Sequence, residues 1–160
     1  MSQGVEWAVH CLSLLAELPE GRALSASRLA EFHDVPAPYL TKHLQALVRA
    51  GILDSVSGPR GGFRLNRATA EITLLDVVVA VDGPKPAFRC AEIRQQGPSA
   101  VSKSCYEKPC GIAAAFARAD AMWRSALRDT TLGQIIDNVP NTVDPKQLEK
   151  TETWLERVLR

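Results

Sequence analysis

The turn Ser57-Gly58-Pro59-Arg60-Gly61-Gly62 constrains the fold of this chain more than any other segment. On its two sides, Ile52-Leu53-Asp54-Ser55-Val56 and Phe63-Arg64-Leu65 alternate as strands do, so the stretch predicts a β-hairpin. Two short strands are not stable alone and must lean on something else. The residues before them supply it. Val5, Ala8, Val9, Leu12, Leu15 and Leu18 recur at helical spacing, predicting a first helix over 3–18 that Pro19-Glu20-Gly21 ends. Ser25 or Ser27 caps a short second helix through His33, with Leu29, Ala30 and Phe32 facing inward. After the tight Val35-Pro36-Ala37-Pro38 connection, a third helix carries Leu40, Leu44, Leu47 and Val48 on one face, and Gly51 stops it. Two helices joined by a short turn, then a hairpin, describe a winged helix-turn-helix.

Beyond the wing, Thr73 caps a fourth helix through about Val81, closed by Asp82-Gly83-Pro84. Residues 83–110 hold Cys90, Cys105 and Cys110 and form a loop too long for a plain connector. From Gly111 to Arg128 a long helix carries Ile112, Ala115, Phe116, Ala119, Met122, Trp123 and Leu127 in a broad stripe. A helix extending beyond a small domain packs on a partner copy, so a homodimer is expected. Asn138 to Pro145 is turn-rich, and Gln147–Leu159 reads as a last helix. The expected fold is mainly α with a small β-wing. Its parts are a winged helix-turn-helix domain (1–82), a cofactor loop (83–110), and a dimerisation helix with a C-terminal helical segment (111–160).

The net charge of +1 says little, but its distribution does. Between Pro36 and Arg67, Lys42, Arg49, Arg60, Arg64 and Arg67 stand against the single acid Asp54. That local basic excess is the sign expected where a chain meets phosphate. In a helix-turn-helix the solvent face of the second helix enters the major groove, which nominates Tyr39, Thr41, Lys42 and Gln45. Gln pairs with adenine, Lys donates to guanine, and Tyr and Thr bond phosphate. In the hairpin, Ser57 and Arg60 at the tip and Arg64 near the backbone are the candidates, with double-stranded promoter DNA as the partner. No apolar run reaches membrane-spanning length and no secretory core follows Met1, so a cytoplasmic location and no membrane partner are expected. In such a reducing compartment the cysteines are metal ligands or reactive thiols rather than disulfides.

Cys90 and Cys105 are separated by fourteen residues, Cys105 and Cys110 by four. Paired CxxC knuckles and HExxH are both absent, although three thiolates and an imidazole still make a tetrahedral zinc site. Cys110, between Pro109 and Gly111 at the start of the long helix, sits where amides and the helix dipole favour a thiolate. On the first helix Glu6 and His10 stand at i and i+4 and project from one face. Cys11 falls on the apolar side of that helix and reads as a small core residue. No acid–base–nucleophile set emerges, so no enzyme activity is expected.

Val35-Pro36-Ala37-Pro38-Tyr39-Leu40, then Leu44, Leu47, Ala50-Gly51-Ile52-Leu53 and Ser57-Gly58-Pro59-Arg60-Gly61-Gly62-Phe63, resemble the IscR/NsrR family of bacterial regulators. The likeness runs over about four-fifths of the chain. It implies a dimeric winged helix with a cluster held in the loop before the dimerisation helix, and with ligands supplied by the first helix of the other subunit. Glu6-Trp7 with His10 resembles the redox-sensing subtype typified by RsrR, with a [2Fe–2S] cluster held by two cysteines of one subunit and a glutamate and a histidine of the other. Carried over, Cys90 and Cys110 hold one iron, the partner's Glu6 and the partner's His10 the other, Cys105 is a free thiol, and Trp7 is a redox-linked gate. The function so implied is a repressor whose promoter affinity follows cluster redox state. The alternatives are nitric-oxide or iron-status sensing by cluster loss, and a zinc-stabilised winged-helix interaction module.

Overall fold

The computed structural model describes residues 1–160 and contains eight α-helices and one two-stranded sheet. In chain order they are α1 (Gln3–Ala16), α2 (Ala26–His33), α3 (Ala37–Arg49), β1 (Leu53–Val56), β2 (Gly62–Leu65), α4 (Leu74–Asp82), α5 (Gly111–Arg128), α6 (Leu132–Asp137), α7 (Val139–Thr142) and α8 (Pro145–Leu159). No helix is long and apolar enough to cross a membrane. The chain groups into two compact units, residues 1–84 with 127–160, and residues 85–126.

In the first unit the periodicity read from the sequence becomes the core. Ala8, Cys11 and Leu12 of α1, Leu29 of α2, and Leu40, Leu44 and Leu47 of α3 are fully buried, as are Ile72 and Val77 beside them. Each large aliphatic side chain withdrawn from water this way contributes about 1.5–3 kcal/mol. Local chemistry sets the helix ends. Ser25 caps α2, its hydroxyl accepting from the Arg28 amide, and Asp34 at φ 50° turns the chain out of it. Pro38 lies in the first turn of α3, where a missing amide costs nothing. α1 stops at Ala16, two residues earlier than the apolar spacing through Leu18 suggests, since Glu17 already takes the capping position.

The wing pairs antiparallel, Leu53 opposite Leu65 and Val56 opposite Gly62. It is anchored where the Leu24 amide donates to Phe63 O at 3.1 Å and the Phe63 amide to Leu24 O at 2.8 Å. Gly62 makes this docking possible. At φ +153° a Cβ there would lie 2.2 Å from Leu24 O. α4 starts in a reciprocal capping box: the Asp76 amide donates to the Thr73 hydroxyl at 3.1 Å, and the Thr73 amide to the Asp76 carboxylate at 3.0 Å. Thr73→Ala is expected to lower stability by about 1 kcal/mol, read as a shift in the denaturation midpoint at unchanged slope.

The C-terminal residues return to this unit. The Leu74 amide donates to Thr130 O, and the Leu132 amide to Ile72 O, at 2.9 and 2.8 Å. Leu132 is fully buried and Leu155 of α8 nearly so, while Trp154 lies against Phe32 with ring centroids 4.7 Å apart. The sequence reading did not foresee α6 and α7, which are one or two turns each and too short to show a period.

The second unit holds a loop and most of α5. Phe88 stacks on Phe116 with centroids 4.3 Å apart, and Arg124 bonds Asp120 at 2.7 Å and Lys85 O at 3.1 Å. α5 buries none of its residues within the chain and leaves Ile112, Phe116, Met122 and Trp123 exposed.

Candidate functional site

Two places carry the residues nominated from the sequence. At the first, the loop 85–110 folds through Arg94 and Tyr106. The Arg94 guanidinium grips the Glu92 carboxylate at 3.1 and 2.6 Å and reaches Lys108 O at 3.3 Å. It also lies over the Tyr106 ring, whose hydroxyl donates to Arg94 O at 2.6 Å and accepts from the Val101 amide at 3.1 Å. These contacts fasten the turn at 92–94 to the residues just before α5, and so bring Cys90 beside Cys110 although nineteen residues separate them.

Ligand atoms of Cys90, Glu92 and Cys110 lie within 4.8 Å of one another. The Glu92 amide donates to Cys90 Sγ at 3.4 Å, and the Cys90 thiol faces a Glu92 carboxylate oxygen at 3.6 Å. Cys110 stands at the N-terminal end of α5. The amides of Ala113 and then Ile112 hold its thiol below the ordinary cysteine range, with the Arg94 charge assisting. Arg94 does the same for Glu92, keeping its carboxyl ionised below the usual range. Cys105 lies outside this group, exposed, its Sγ 3.3 Å from Ser102 Oγ. Cys11 is buried in the core, and burial pushes its thiol up to about 12.

Glu92 is the member that sequence reasoning missed. Its only signal was its position two residues after Cys90, which by itself is weak. Glu6 and His10 are both exposed on α1. The His10 ring centroid is 5.8 Å from that of His33, and Trp7 meets His43 of α3 edge-on at 6.2 Å. Gly4 makes this helix crossing close, since a Cβ there would fall 2.4 Å from the His43 ring.

The second place is the face of α3 and the wing. Tyr39, Lys42 and Gln45 are exposed on α3, opposite the buried Leu40, Leu44 and Leu47. Thr41 is half-buried, and its hydroxyl donates back to Ala37 O at 2.7 Å. Ser57 and Arg60 are exposed at the wing tip. Arg64 bonds Asp54 on the neighbouring strand at 2.8 Å, an ion pair that draws the Asp54 carboxyl below its ordinary range. Arg67 pairs with Asp76 at 3.6 Å and bonds Glu71 O. Of the basic residues in the 36–67 stretch, Lys42, Arg49 and Arg60 therefore keep their charge unpaired.

The winged helix has known counterparts. Residues 1–138 match the Rrf2 family, described as iron-dependent transcriptional regulators. YwgB of Bacillus subtilis (strain 168), described as an HTH-type transcriptional regulator, is 32% identical over 155 residues, covering 97% of this chain and 94% of its own. A regulator of the same description from Lactococcus lactis, YffB, is 34% identical over 137 residues and 86% of each chain. Two solved structures share the fold. CymR, the global cysteine regulator of B. subtilis, has a TM-score of 0.65 at 19% identity over 86% of this chain and 95% of its own. IscR of T. potens has a TM-score of 0.67 at 18% identity over 90% of both. The likeness carried by the Tyr39-Leu40 helix start and the Gly58–Phe63 wing is thus met across most of the chain. This protein belongs to the Rrf2 family of transcriptional regulators, which bind DNA, often as dimers, and are not enzymes.

Proposed function

We propose that the chain is a cytoplasmic, homodimeric repressor whose promoter affinity is set by the redox state of a [2Fe–2S] cluster. Cys90 and Cys110 of one subunit, with the partner's Glu6 and the partner's His10, are its ligands, as in the redox-sensing subtype of this family. The observation that carries this reading is the convergence of Cys90 and Cys110, with Cys105 outside the group. The donor set fits. Two soft thiolates suit iron, and the Cys110 thiolate is already favoured by the α5 amides. A cluster bound there supplies a one-electron couple, at a potential raised by imidazole in place of thiolate.

The chain's own residues supply the rest. Arg94 and Tyr106 hold the loop so that both thiols face one place. The bare α5 face, with Ile112, Phe116, Met122 and Trp123 exposed, is where a second copy would pack. Glu6 and His10 share α1 with Gly4 and Trp7, and these two touch His43 on the reading helix. A pull on Glu6 or His10 is therefore transmitted by Trp7 to α3, and a shift of α3 in each subunit alters half-site fit. On the DNA, Tyr39, Thr41, Lys42 and Gln45 take the major groove, with Ser57, Arg60 and Arg64 along the wing.

The test pairs a spectrum with a titration. Protein purified without oxygen is expected to be coloured and reducible, and its affinity for promoter fragments to change by about tenfold or more on reduction. Binding should also fall steeply with salt, by about 0.9 in log K per log salt for each phosphate contact. A colourless protein with stoichiometric zinc, or equal affinity in both redox states, overturns the reading. The exposure of Cys90 favours a second one, in which nitric oxide or iron shortage removes the cluster.

A further inference from the structure

The first unit contains a groove of about 1140 Å³ that neither the cysteines nor the reading helix uses. Phe32 and His33 at the end of α2, and Trp154 of α8, line its aromatic side. Its charge is one-sided: the carboxylates of Glu17, Glu31, Asp137 and Glu152 line it against the single ammonium of Lys150. Glu31 is engaged by Arg28 at 2.8 Å and Arg157 at 3.7 Å, whereas Glu17 and Glu152 have no ion pair. His33 Nε2 is cut off from solvent and has no hydrogen-bond partner. A buried polar atom without a partner is rare in a folded protein, and this one belongs to a groove-lining residue.

We propose that this groove binds a lipophilic organic cation, its apolar body seated on the Phe32–Trp154 pair and its charge held toward Glu17 and Glu152. Three properties favour this class. The volume suits a drug-sized molecule. Aromatic faces attract quaternary and aromatic-substituted cations, more strongly where water is excluded. The surplus carboxylates reject an anion of the same shape. Occupancy has a route to the DNA face, since Phe32 and His33 end α2 and residues 34–36 lead straight into α3. The proposed ligand His10 also lines this groove, but the contacts proposed here, Phe32, Trp154, Glu17 and Glu152, all lie in the first unit and none of them is a proposed ligand.

Tetraphenylphosphonium and tetraphenylborate, alike in size and opposite in charge, make the test. Calorimetric titration of the full-length protein as purified is expected to show one saturable site for the phosphonium and binding about tenfold or more weaker for the borate. Glu17→Gln with Glu152→Gln should weaken the phosphonium by about tenfold and leave the borate unchanged or tighter, while Phe32→Leu weakens both. The two glutamates are exposed, so the double variant should keep its thermal midpoint. Equal affinity for the two ions, no saturable phosphonium site, or a double variant that binds the phosphonium as tightly as before overturns the proposal. The colour of the sample plays no part in this outcome.

Discussion

Cys110→Ala and Cys90→Ala are each expected to abolish the visible absorption of protein purified without oxygen, while Cys105→Ala leaves it near the starting level. The difference follows from where the loop puts the three thiols. Cys90 and Cys110 meet beside Glu92, whereas Cys105 sits by Ser102. Losing either of the first two removes one thiolate of a pair, and Cys105 lies outside their group. None of the three belongs to the core of the first unit, so far-UV circular dichroism and the thermal midpoint should barely change. Arg94→Ala belongs in the same series. It removes the clamp between Glu92 and Lys108 without removing a thiol, so colour should survive with lower occupancy. Loss of colour in Cys105→Ala, or its retention in Cys110→Ala, would sink the assignment.

The winged helix could be read from the sequence because its elements are held by local rules. Apolar residues at helical spacing, the Ser25 and Thr73 caps, and the glycine-rich turn before Phe63 act within a few residues, and each reappears in the structure. The cofactor loop could be read only in part. Three cysteines between prolines announce ligand chemistry, but which two meet depends on Arg94 reaching Lys108 and Tyr106 reaching back to Arg94, contacts across 14 and 12 residues that leave no periodic trace. Glu92 was invisible for the same reason. Thr41 and Arg64 show another limit. Both read as free polar side chains in the sequence, yet Thr41 bonds Ala37 O and must release it to donate to phosphate. Arg64 is committed in part to Asp54 and keeps only its remaining N–H donors for phosphate. The short α6 escaped notice although Thr131 and Gln134 form a capping box at its start, a four-residue signal with no apolar period behind it.

The two faces of α3 are expected to fail in opposite ways. Leu44→Ala empties a fully buried site at the centre of the core. It should cost about 2–5 kcal/mol, because the lost transfer energy is joined by a cavity the neighbours fill only in part. At roughly 2–4 °C per kcal/mol for a chain of this size, the thermal midpoint should fall by about 5–20 °C. Tyr39→Ala and Lys42→Ala remove side chains that stand in solvent on the other side of the same helix. Their stability should stay within about 0.5 kcal/mol of the parent, yet DNA affinity should drop. The two are separable by salt. If Lys42 neutralises a phosphate, its loss weakens binding to all sequences alike and reduces the salt slope by about one. Tyr39 carries no charge, so its removal should lower affinity at constant slope. Arg60→Ala at the wing tip should resemble Lys42→Ala, whereas Arg64→Ala should also loosen the hairpin, because Asp54 then loses its ion pair. A Lys42→Ala protein with unchanged affinity and slope would remove α3 from the DNA interface, and the winged helix would then need another reading surface.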